Sequence, residues 1–340
     1  MTNGFLLALL SAALFGAATP AGKVLLGDLT PFQLAGLLYL GAALGVGPLA
    51  AATRAPVPIH LDRANRRRLA GAVVFGGVVG PVLLLFGLRL TTAASVALLL
   101  NLEFAATAAL AVVFFGERLG RRGWLGVAGV VVSGGVLAWG NGWPGVVAAC
   151  FVAGACLCWA LDNNLTSLID GLGPTQTTFW KCAIAGTTNL ALGATLAPLR
   201  ASPSRLAMAL VVGAICYGAS IALSISAAQH EGAARTQAVF ASAPFLGGAL
   251  SWMVLGDPVG TSELVASALL VVSVAGVLLD RHEHLHAHER LAHVHSHRHD
   301  DGHHLHEHPG LVRSAVHSHW HEHEPVEHVH RHGSDLHHRH

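Results

Sequence analysis

Long apolar segments follow one another through most of the chain. A helix needs about 20 apolar residues to cross the hydrocarbon core of a bilayer, which is roughly 30 Å thick. Soluble domains carry about a quarter charged residues, whereas only 11% of this chain is charged. We therefore predict an all-α polytopic membrane protein with ten transmembrane helices. The predicted spans are 4–26, 31–52, 69–89, 92–115, 122–140, 144–167, 175–198, 205–228, 233–255 and 260–279.

Two pairs of similar short stretches, one member in each half, indicate that the apolar region is duplicated. The Gly-Glu-Arg-Leu-Gly stretch at 116–120 returns as Gly-Asp-Pro-Val-Gly at 256–260, 140 positions later. Likewise Leu-Thr-Pro-Phe-Gln at 29–33 returns as Leu-Gly-Pro-Thr-Gln at 172–176, 143 positions later. Duplication of this kind is typical of transporters. Since each half holds five spans, the second repeat should be inverted relative to the first.

These features predict three regions and one orientation. The first repeat covers 1–140, the second 141–280, and a histidine-rich tail 281–340. The predicted loops 53–68 and 116–122 hold eight arginines between them, and such loops face the cytoplasm. Ten spans then place both termini, and the tail, on the cytoplasmic side of the cell (inner) membrane. No basic region precedes the first apolar segment, so we expect it to remain as a span.

Several motifs resemble the drug/metabolite transporter superfamily, in particular its EamA-type members. They are the Leu-Phe-Gly stretch at 14–16, the proline that opens span 2 at Pro31, and the Gly-Glu-Arg turn at 116–118 with its partner at 256–258. The resemblance covers about residues 5–279. It implies two inverted five-helix repeats, a central substrate cavity, and alternating-access export of amino acids or related metabolites without ATP.

The same resemblance guides the expected partners. The chain contains no Gly-x-x-x-x-Gly-Lys-Ser/Thr phosphate loop, so we expect neither an ATPase nor any other enzyme. We expect the lipid bilayer and a small-molecule solute as partners. A net charge of +1 gives no reason to expect nucleic acid. The sequence is compatible with a homodimer but does not fix the oligomeric state.

The sequence departs from the family pattern in span 2. Many members carry a basic residue several positions after the proline that opens this span, whereas this chain has Leu37-Leu38-Tyr39 there. The corresponding position of the second repeat keeps a charge, Lys181, seven residues after Pro174. The architecture that the resemblance implies is therefore better supported than the substrate chemistry.

Polar residues at membrane depth are the candidates for substrate and proton binding, because charge is costly in hydrocarbon unless it is paired or hydrated. Glu103, beside Asn101 in span 4, is the deepest carboxylate of the body. A buried carboxylate can exchange protons near neutral pH; the alternative is a purely structural glutamate. Lys181 is a candidate partner for Glu103 or for a substrate carboxylate. Asp162 and Asn163, late in span 6, either line a cavity mouth or mark the helix leaving the membrane.

Two prolines inside apolar segments, Pro81 and Pro244, complete the candidate site. Proline lacks the N–H that would bond the carbonyl one turn earlier, which is tolerated where a cavity or a neighbouring helix supplies a partner. Each of these prolines marks either a cavity or gate, or a simple kink.

The tail is dominated by histidine: 22 of the 24 histidines lie in 281–340. Imidazole is a good ligand for zinc, nickel, copper and cobalt. The composition, with few apolar residues, predicts a disordered segment. We expect no required cofactor, and Zn, Ni or Co as divalent ions bound by the tail. The candidate ligands are His282, His284, His286, His288, His293, His295, His297, His299, His317, His319, His321 and His323.

Several functions remain open at this point. The tail could also be an incidental low-complexity extension, a pH sensor, since imidazole titrates near pH ~6.5, or a segment that contacts the anionic leaflet. The whole protein could export an organic solute, with the tail as an accessory sensor, or carry divalent metal, with the tail as a cytoplasmic collector. A metal sensor that transports nothing is a third hypothesis. Outside the tail only His60 and His230 are histidines, which favours the organic solute.

Overall fold

The structure is a computed structural model, and it describes residues 3–52, 61–115, 120–169, 172–231, 236, 239–278, 282–288, 291–297, 317–323 and 326–332. The chain forms two compact units, a body up to residue 280 and a tail unit from 281 to 332. The Gly-Glu-Arg turn at 116–118, and His299 of the tail, lie outside the described residues.

The described part of the body is helical. In its first half, α1 is Asn3–Leu25, α2 is Pro31–Ala52, α3 is Arg63–Leu90, α4 consists of Ala93–Leu99 and Asn101–Phe115, and α5 is Arg121–Gly140. In its second half, α6 is Gly142–Ser167, α7 is Pro174–Leu196, α8 consists of Pro203–Val212, Gly213–Ala219 and Ser220–Glu231, α9 is Ala243–Leu255, and α10 is Thr261–Leu278.

Seven helices of the described body are long and apolar enough to cross a membrane, namely α1 to α6 and α8. Helices α9 and α10 are shorter apolar helices, and α7 has 23 residues but carries Lys181 and several threonines. The predicted polytopic helical body is thus confirmed, while the number of ten spans stays a prediction.

One boundary differs clearly from the sequence prediction. Helix α3 starts at Arg63, six residues before the predicted span, because Asp62 caps its first turn by accepting a hydrogen bond from the Asn65 backbone N–H at 2.7 Å. The arginines assigned to the 53–68 loop therefore lie partly on a helix. Arg68 donates to the Leu168 carbonyl at the end of α6, at 2.7 Å. Free carbonyls at a helix C-terminus favour such a cation.

Helices five positions apart in the chain make matching contacts. Helix α2 packs along α7, and α5 packs along α10. The last part of α3 packs on α6, as the last part of α8 packs on α1. Helix α4 contacts α6, as α9 contacts α1. A set of reciprocal contacts of this kind is what a twofold relation between two five-helix halves produces.

Two stretches of π-helix, one in each half, are separated by the same 140 positions as the similar sequence stretches at 116–120 and 256–260. They are Val73–Val79 in α3 and Gly213–Ala219 in α8, which begin 140 positions apart. The first contacts α7 and the second contacts α2. A π-helical turn leaves the regular hydrogen-bond ladder and is frequent at functional sites. The duplication therefore extends to a local irregularity of the backbone.

The repeated turn of the second half holds two helices together. Gly256 ends α9 with φ 66°, in the left-handed region that glycine adopts without steric cost. The neighbouring Asp257 accepts a hydrogen bond from the backbone N–H of Ala94, at the start of α4, at 2.9 Å. A carboxylate is favourable at a helix N-terminus because free N–H groups collect there.

Helices α2 and α7 approach closely because glycines lie where they cross. A Cβ at Gly36 would lie 2.6 Å from the Leu190 backbone nitrogen, and one at Gly186 would lie 2.7 Å from the Leu40 backbone nitrogen. Small residues are how helices pack in lipid, where no hydrophobic driving force holds them together. These two glycines set the distance between the helices that carry Tyr39 and Lys181.

The tail forms strands where the sequence predicted disorder. The strands are β1 (His282–His288), β2 (Leu291–His297), β3 (His317–His323) and β4 (Val326–His332). β1 pairs with β4 and β2 pairs with β3, both antiparallel. The prediction of a wholly disordered tail is therefore wrong for these residues. Histidine recurs every second position, and this period of two is also the period of a strand.

The α2–α7 contact can be tested with two glycine substitutions. Gly36→Ala should lower the stability of the purified protein by about 1–3 kcal/mol, because backbone atoms cannot move aside for the new methyl group. Gly135→Ala, in α5, is the matched control, since a Cβ there meets nothing within 4 Å and alanine is the better helix former. The measurement is the melting temperature in detergent. Equal shifts for both variants would contradict this packing.

Candidate functional site

The π-helical stretch of α3 exposes two backbone carbonyls to neighbouring helices. Pro81 has no N–H, so it cannot donate to the Gly77 carbonyl, four residues earlier, as in an α-helix, or to the Gly76 carbonyl, five residues earlier, as in a π-helix. Asn189 of α7 donates to the Gly77 carbonyl at 3.0 Å. Tyr39 of α2 and Trp159 of α6 donate to the Gly76 carbonyl at 2.7 and 3.0 Å. Pro81 thus lies where three other helices converge.

Helix α4 is also irregular, at Leu100, between its two parts. The Asn101 side chain turns back to the Leu98 carbonyl at 2.9 Å. The Cys156 sulfur of α6 lies 4.0 Å from the carbonyl oxygens of Leu99 and Leu100. Side chains therefore supply hydrogen-bond donors to the carbonyls of Leu98, Leu99 and Leu100. Irregular backbone within a bilayer requires such donors. Asn101, predicted as a substrate ligand, is 3% exposed and bonds to its own helix.

An ion pair lies beside these irregular segments. The Lys181 Nζ of α7 is 2.6 Å from the Asp162 Oδ2 of α6, and the side chains are 18% and 4% exposed. Thr166 donates a further hydrogen bond to Asp162 Oδ1 at 3.0 Å. A Cβ at Gly76 would collide with the Asp162 carboxylate, so the glycine leaves room for it. Burial at this level makes each charge depend on its partner.

The second carboxylate of the site, Glu103 of α4, bonds to Asn163, the residue of α6 that follows Asp162. Asn163 Nδ2 donates to Glu103 Oε1 at 3.0 Å. Both Asp162 and Lys181 act on Glu103 electrostatically. One turn of α6 thus links both carboxylates, and Lys181 supplies the cation. With both carboxylates ionised the group carries one net negative charge, and with one protonated it is neutral.

The structure brings together Glu103, Asp162, Asn163 and Lys181, four of the residues predicted from sequence. It corrects the pairing, because Lys181 contacts Asp162 whereas Glu103 bonds to Asn163. Asp162 is buried and lies five residues before α6 ends at Ser167.

Pro244 occupies a different place from Pro81. It lies in the first turn of α9, where a missing N–H costs nothing, rather than inside a helix. The prediction that it frees a carbonyl within a span is therefore wrong. It does line a small cavity between α1, α4 and α9, together with Phe15, Gly16, Thr19, Ala97, Leu100, Ala243 and Gly247.

Two residues of the site, Tyr39 and Trp159, were not predicted from sequence. The Tyr39 ring lies 6.1 Å from that of Tyr217. The Asn189 side chain, which lies beside them, is completely buried. The signal that could have identified them is Pro81, because the carbonyls that it frees need donors from other spans.

Metal ligands do not cluster in the part of the chain that the structure describes. No three His, Cys, Asp or Glu residues lie close enough there to hold an ion. The carboxylates Glu103 and Asp162 have Lys181 rather than a third ligand as their neighbour.

Comparison with known proteins identifies the family. A sequence model of the EamA-like transporter family matches residues 2–138 and 146–279, which is most of the chain and falls in two copies. The chain belongs to the EamA-like transporter family. It is therefore a membrane transporter of the drug/metabolite transporter superfamily. The resemblance seen in the sequence is confirmed.

The remaining comparisons bear on the fold alone. One solved structure, whose title reads "Crystal structure of protein", matches the fold with a TM-score of 0.58, and its sequence is 17% identical to this chain. The match covers 82% of this chain and 97% of the other. No curated protein matches the sequence.

The role of Pro81 can be tested by a double-mutant cycle. Asn189→Ala should lower stability by about 1–3 kcal/mol, because it leaves the buried Gly77 carbonyl without a donor. In a Pro81→Ala background the cost should be smaller, since a backbone N–H is then present at position 81. Thermal or denaturant unfolding of the four proteins in detergent measures both costs. Identical costs in the two backgrounds would show that Pro81 does not free this carbonyl.

Proposed function

We propose that the protein is a secondary active transporter of the cell (inner) membrane that exports a small organic metabolite, such as an amino acid, by alternating access. Ten spans in two inverted five-helix repeats would carry the transport, and the tail would act as an accessory sensor of metal or pH. The observation that carries this proposal is the Lys181–Asp162 ion pair beside two irregular helices.

The charges of the site suit a zwitterion. An amino acid carries an ammonium group and a carboxylate, and the site offers Lys181 for the latter and the two carboxylates for the former. Lys181 is the more exposed member of the ion pair, so a substrate carboxylate can compete with Asp162 for it. Asn163 is exposed beside Glu103 and offers an amide to the same solute. Buried polar groups of this kind discriminate against solutes that leave them unpaired.

The reciprocal helix packing supports alternating access. Transporters built from inverted repeats change access when one half rocks against the other around a site near the bilayer midplane. Here the first repeat contributes Glu103 and the π-helical stretch of α3, and the second contributes Asp162 and Lys181. The site therefore lies between the predicted halves, where relative movement would alter its exposure.

The ion pair makes a prediction about stability and transport together. Asp162→Asn should destabilise the protein by about 3–5 kcal/mol, because Lys181 is left buried without its counter-ion. Adding Lys181→Met should recover much of that loss, yet transport should remain absent in both variants. Asp28→Asn is the matched control, because the Asp28–Arg205 pair is 44% and 39% exposed and such pairs contribute about 0–1 kcal/mol.

The measurements are melting temperature in detergent and amino-acid flux in proteoliposomes. A double variant that is stable and still transports would show that the pair is structural only, and would refute its role in substrate binding.

Glu103 is the proposed site of proton coupling. In proteoliposomes a pH gradient should drive solute accumulation by the unaltered protein but not by Glu103→Gln, which can neither bind nor release a proton. Exchange of labelled for unlabelled solute, with no gradient, should persist in the variant because it needs no net proton movement. Gradient-driven accumulation by Glu103→Gln would assign the coupling to another group.

A divalent-metal transporter is the alternative, and the histidine content of the tail favours it. The test is Zn, Ni and Co flux in proteoliposomes, for the full chain and for a chain that ends at Asp280. Metal flux that persists without the tail and disappears in Glu103→Gln would establish metal transport. Metal bound by the full chain without flux in either protein would support the organic-solute exporter.

A further inference from the structure

The turn where α3 ends and α4 begins is held by a charged side chain on each side. Lys23, near the end of α1, donates to the carbonyls of Leu88 and Thr91 at the end of α3, each at 2.6 Å. Asp257 of the second repeat accepts from the Ala94 backbone N–H at the start of α4, at 2.9 Å. A cation thus lies at a helix C-terminus and an anion at a helix N-terminus, as the helix dipole favours. Asp257 also attracts Lys23 electrostatically.

A second carboxylate, Glu263 at the start of α10, adds to this contact. Its Oε1 accepts hydrogen bonds from the Ser95 hydroxyl of α4 at 3.1 Å and from the Asn141 amide, between α5 and α6, at 3.3 Å. Its Oε2 accepts from the Gly260 N–H and the Ser262 hydroxyl of its own turn. Glu263 is 5% exposed. All four donors are neutral groups, so water can replace the two that come from other helices if the helices separate.

The body is closed behind these contacts. All seven residues of Ala93–Leu99 are at most 2% exposed, and this first part of α4 packs on α1 and α9. Within the second part of α4, every residue of 102–110 except Ala105 is partly exposed. Asn163 of α6, which bonds to Glu103, is exposed. The candidate site is therefore closed toward the start of α4 and more accessible toward its other end.

Helices α2 and α7 are held together in the same way at both of their ends. Gln33 of α2 donates to the Ala197 carbonyl, directly after α7, at 2.9 Å. Gln176 of α7 donates to the Ala50 carbonyl, near the end of α2, at 3.2 Å. The two glutamines occupy matching positions of the two repeats, 143 positions apart. Contacts that repeat in this way do not depend on which end of the body is closed, so this helix pair suits a fixed axis.

We propose that Lys23, Asp257 and Glu263 form a latch, which keeps the end of the body at the start of α4 closed while the other end is open. Release of the latch lets α3 and α4 move away from α9 and α10. In the predicted orientation this is the outer end. The inference rests on the proposed alternating access, and it assigns positioning residues that hold one access state and bind no solute. Hydrogen bonds from neutral donors suit reversible opening, because exchange with water changes the net free energy only modestly.

The test removes the hydrogen bonds that join α4 to the second repeat. The latch variant carries Ser95→Ala and Asp257→Ala, each of which deletes one of these bonds. The matched control carries Pro258→Ala and Ser262→Ala. Ser262 also donates to Glu263, but from the same turn, so its loss leaves the contact with α4 in place.

Opening is measured as the separation of two spin labels by pulsed electron paramagnetic resonance. The labels are attached to cysteines introduced at Leu90 and Val259, which are 41% and 51% exposed on the two sides of the latch. Cys150 and Cys158, the two native cysteines that are not buried, are replaced by alanine in every protein compared. The full chain is measured in detergent without solute, so the result does not depend on which solute the protein transports.

We expect one short separation in the otherwise unaltered chain and in the control. The latch variant should show a second, longer separation, and its ratio of open to closed molecules should rise about tenfold, because it loses two hydrogen bonds that only the closed form makes. Identical distributions in the latch variant and the control would overturn the proposal. If the double variant does not fold, Ser95→Ala against Ser262→Ala makes the same comparison, with an expected change of about threefold.

Amino-acid flux in proteoliposomes separates this inference from the proposed function. Opening of the latch variant, together with no amino-acid flux by the unaltered protein, would support the latch and refute the proposed solute. Amino-acid flux by the unaltered protein, together with no opening of the latch variant, would support the proposed function and refute the latch.

Discussion

The structure depends on the rule that a backbone carbonyl within a bilayer must have a hydrogen-bond partner. Pro81 and the π-helical stretch before it break the regular ladder of α3, and Tyr39, Trp159 and Asn189 donate to the carbonyls of Gly76 and Gly77. These donors come from α2, α6 and α7. A local defect of one helix thereby fixes how three others are placed around it, and the ion pair lies at the same point.

The close approach of helices depends on glycines at the points where they cross. Gly36 and Gly186 let α2 and α7 cross with backbone against backbone, and Gly76 leaves room for the Asp162 carboxylate. A polar group on one helix can then reach a partner on the next without crossing apolar space. The charged pair, the amide of Asn163 and the carboxylate of Glu103 form one connected region because two helices are irregular there and two others are close.

Some of the site was predictable and some was not. Glu103, Asp162 and Lys181 were identified from sequence because ionisable residues are rare in apolar spans and each needs a reason to be there. The sequence left Glu103 and a substrate carboxylate as candidate partners of Lys181 and did not point to Asp162, which Lys181 contacts, since sequence does not show which face of a helix meets which neighbour. Tyr39 and Trp159 were missed because an aromatic residue in a span usually packs or lies at the interface. Pro244 was predicted to lie inside a span, whereas a helix starts at Ala243, directly before it. The residues around this helix start are apolar, so the sequence pattern does not show it.

The sequence by itself determined the polytopic class, the family, the duplicated pattern and the positions of most helices, because these follow from the length and period of apolar runs. It also placed histidine at every second position of the tail segments. Only the tertiary structure decided that Lys181 contacts Asp162, that the π-helical stretches of α3 and α8 occupy equivalent positions, and that β1 pairs with β4. Contacts between distant segments depend on helix rotation, crossing distance and strand register, and local composition leaves all three undetermined.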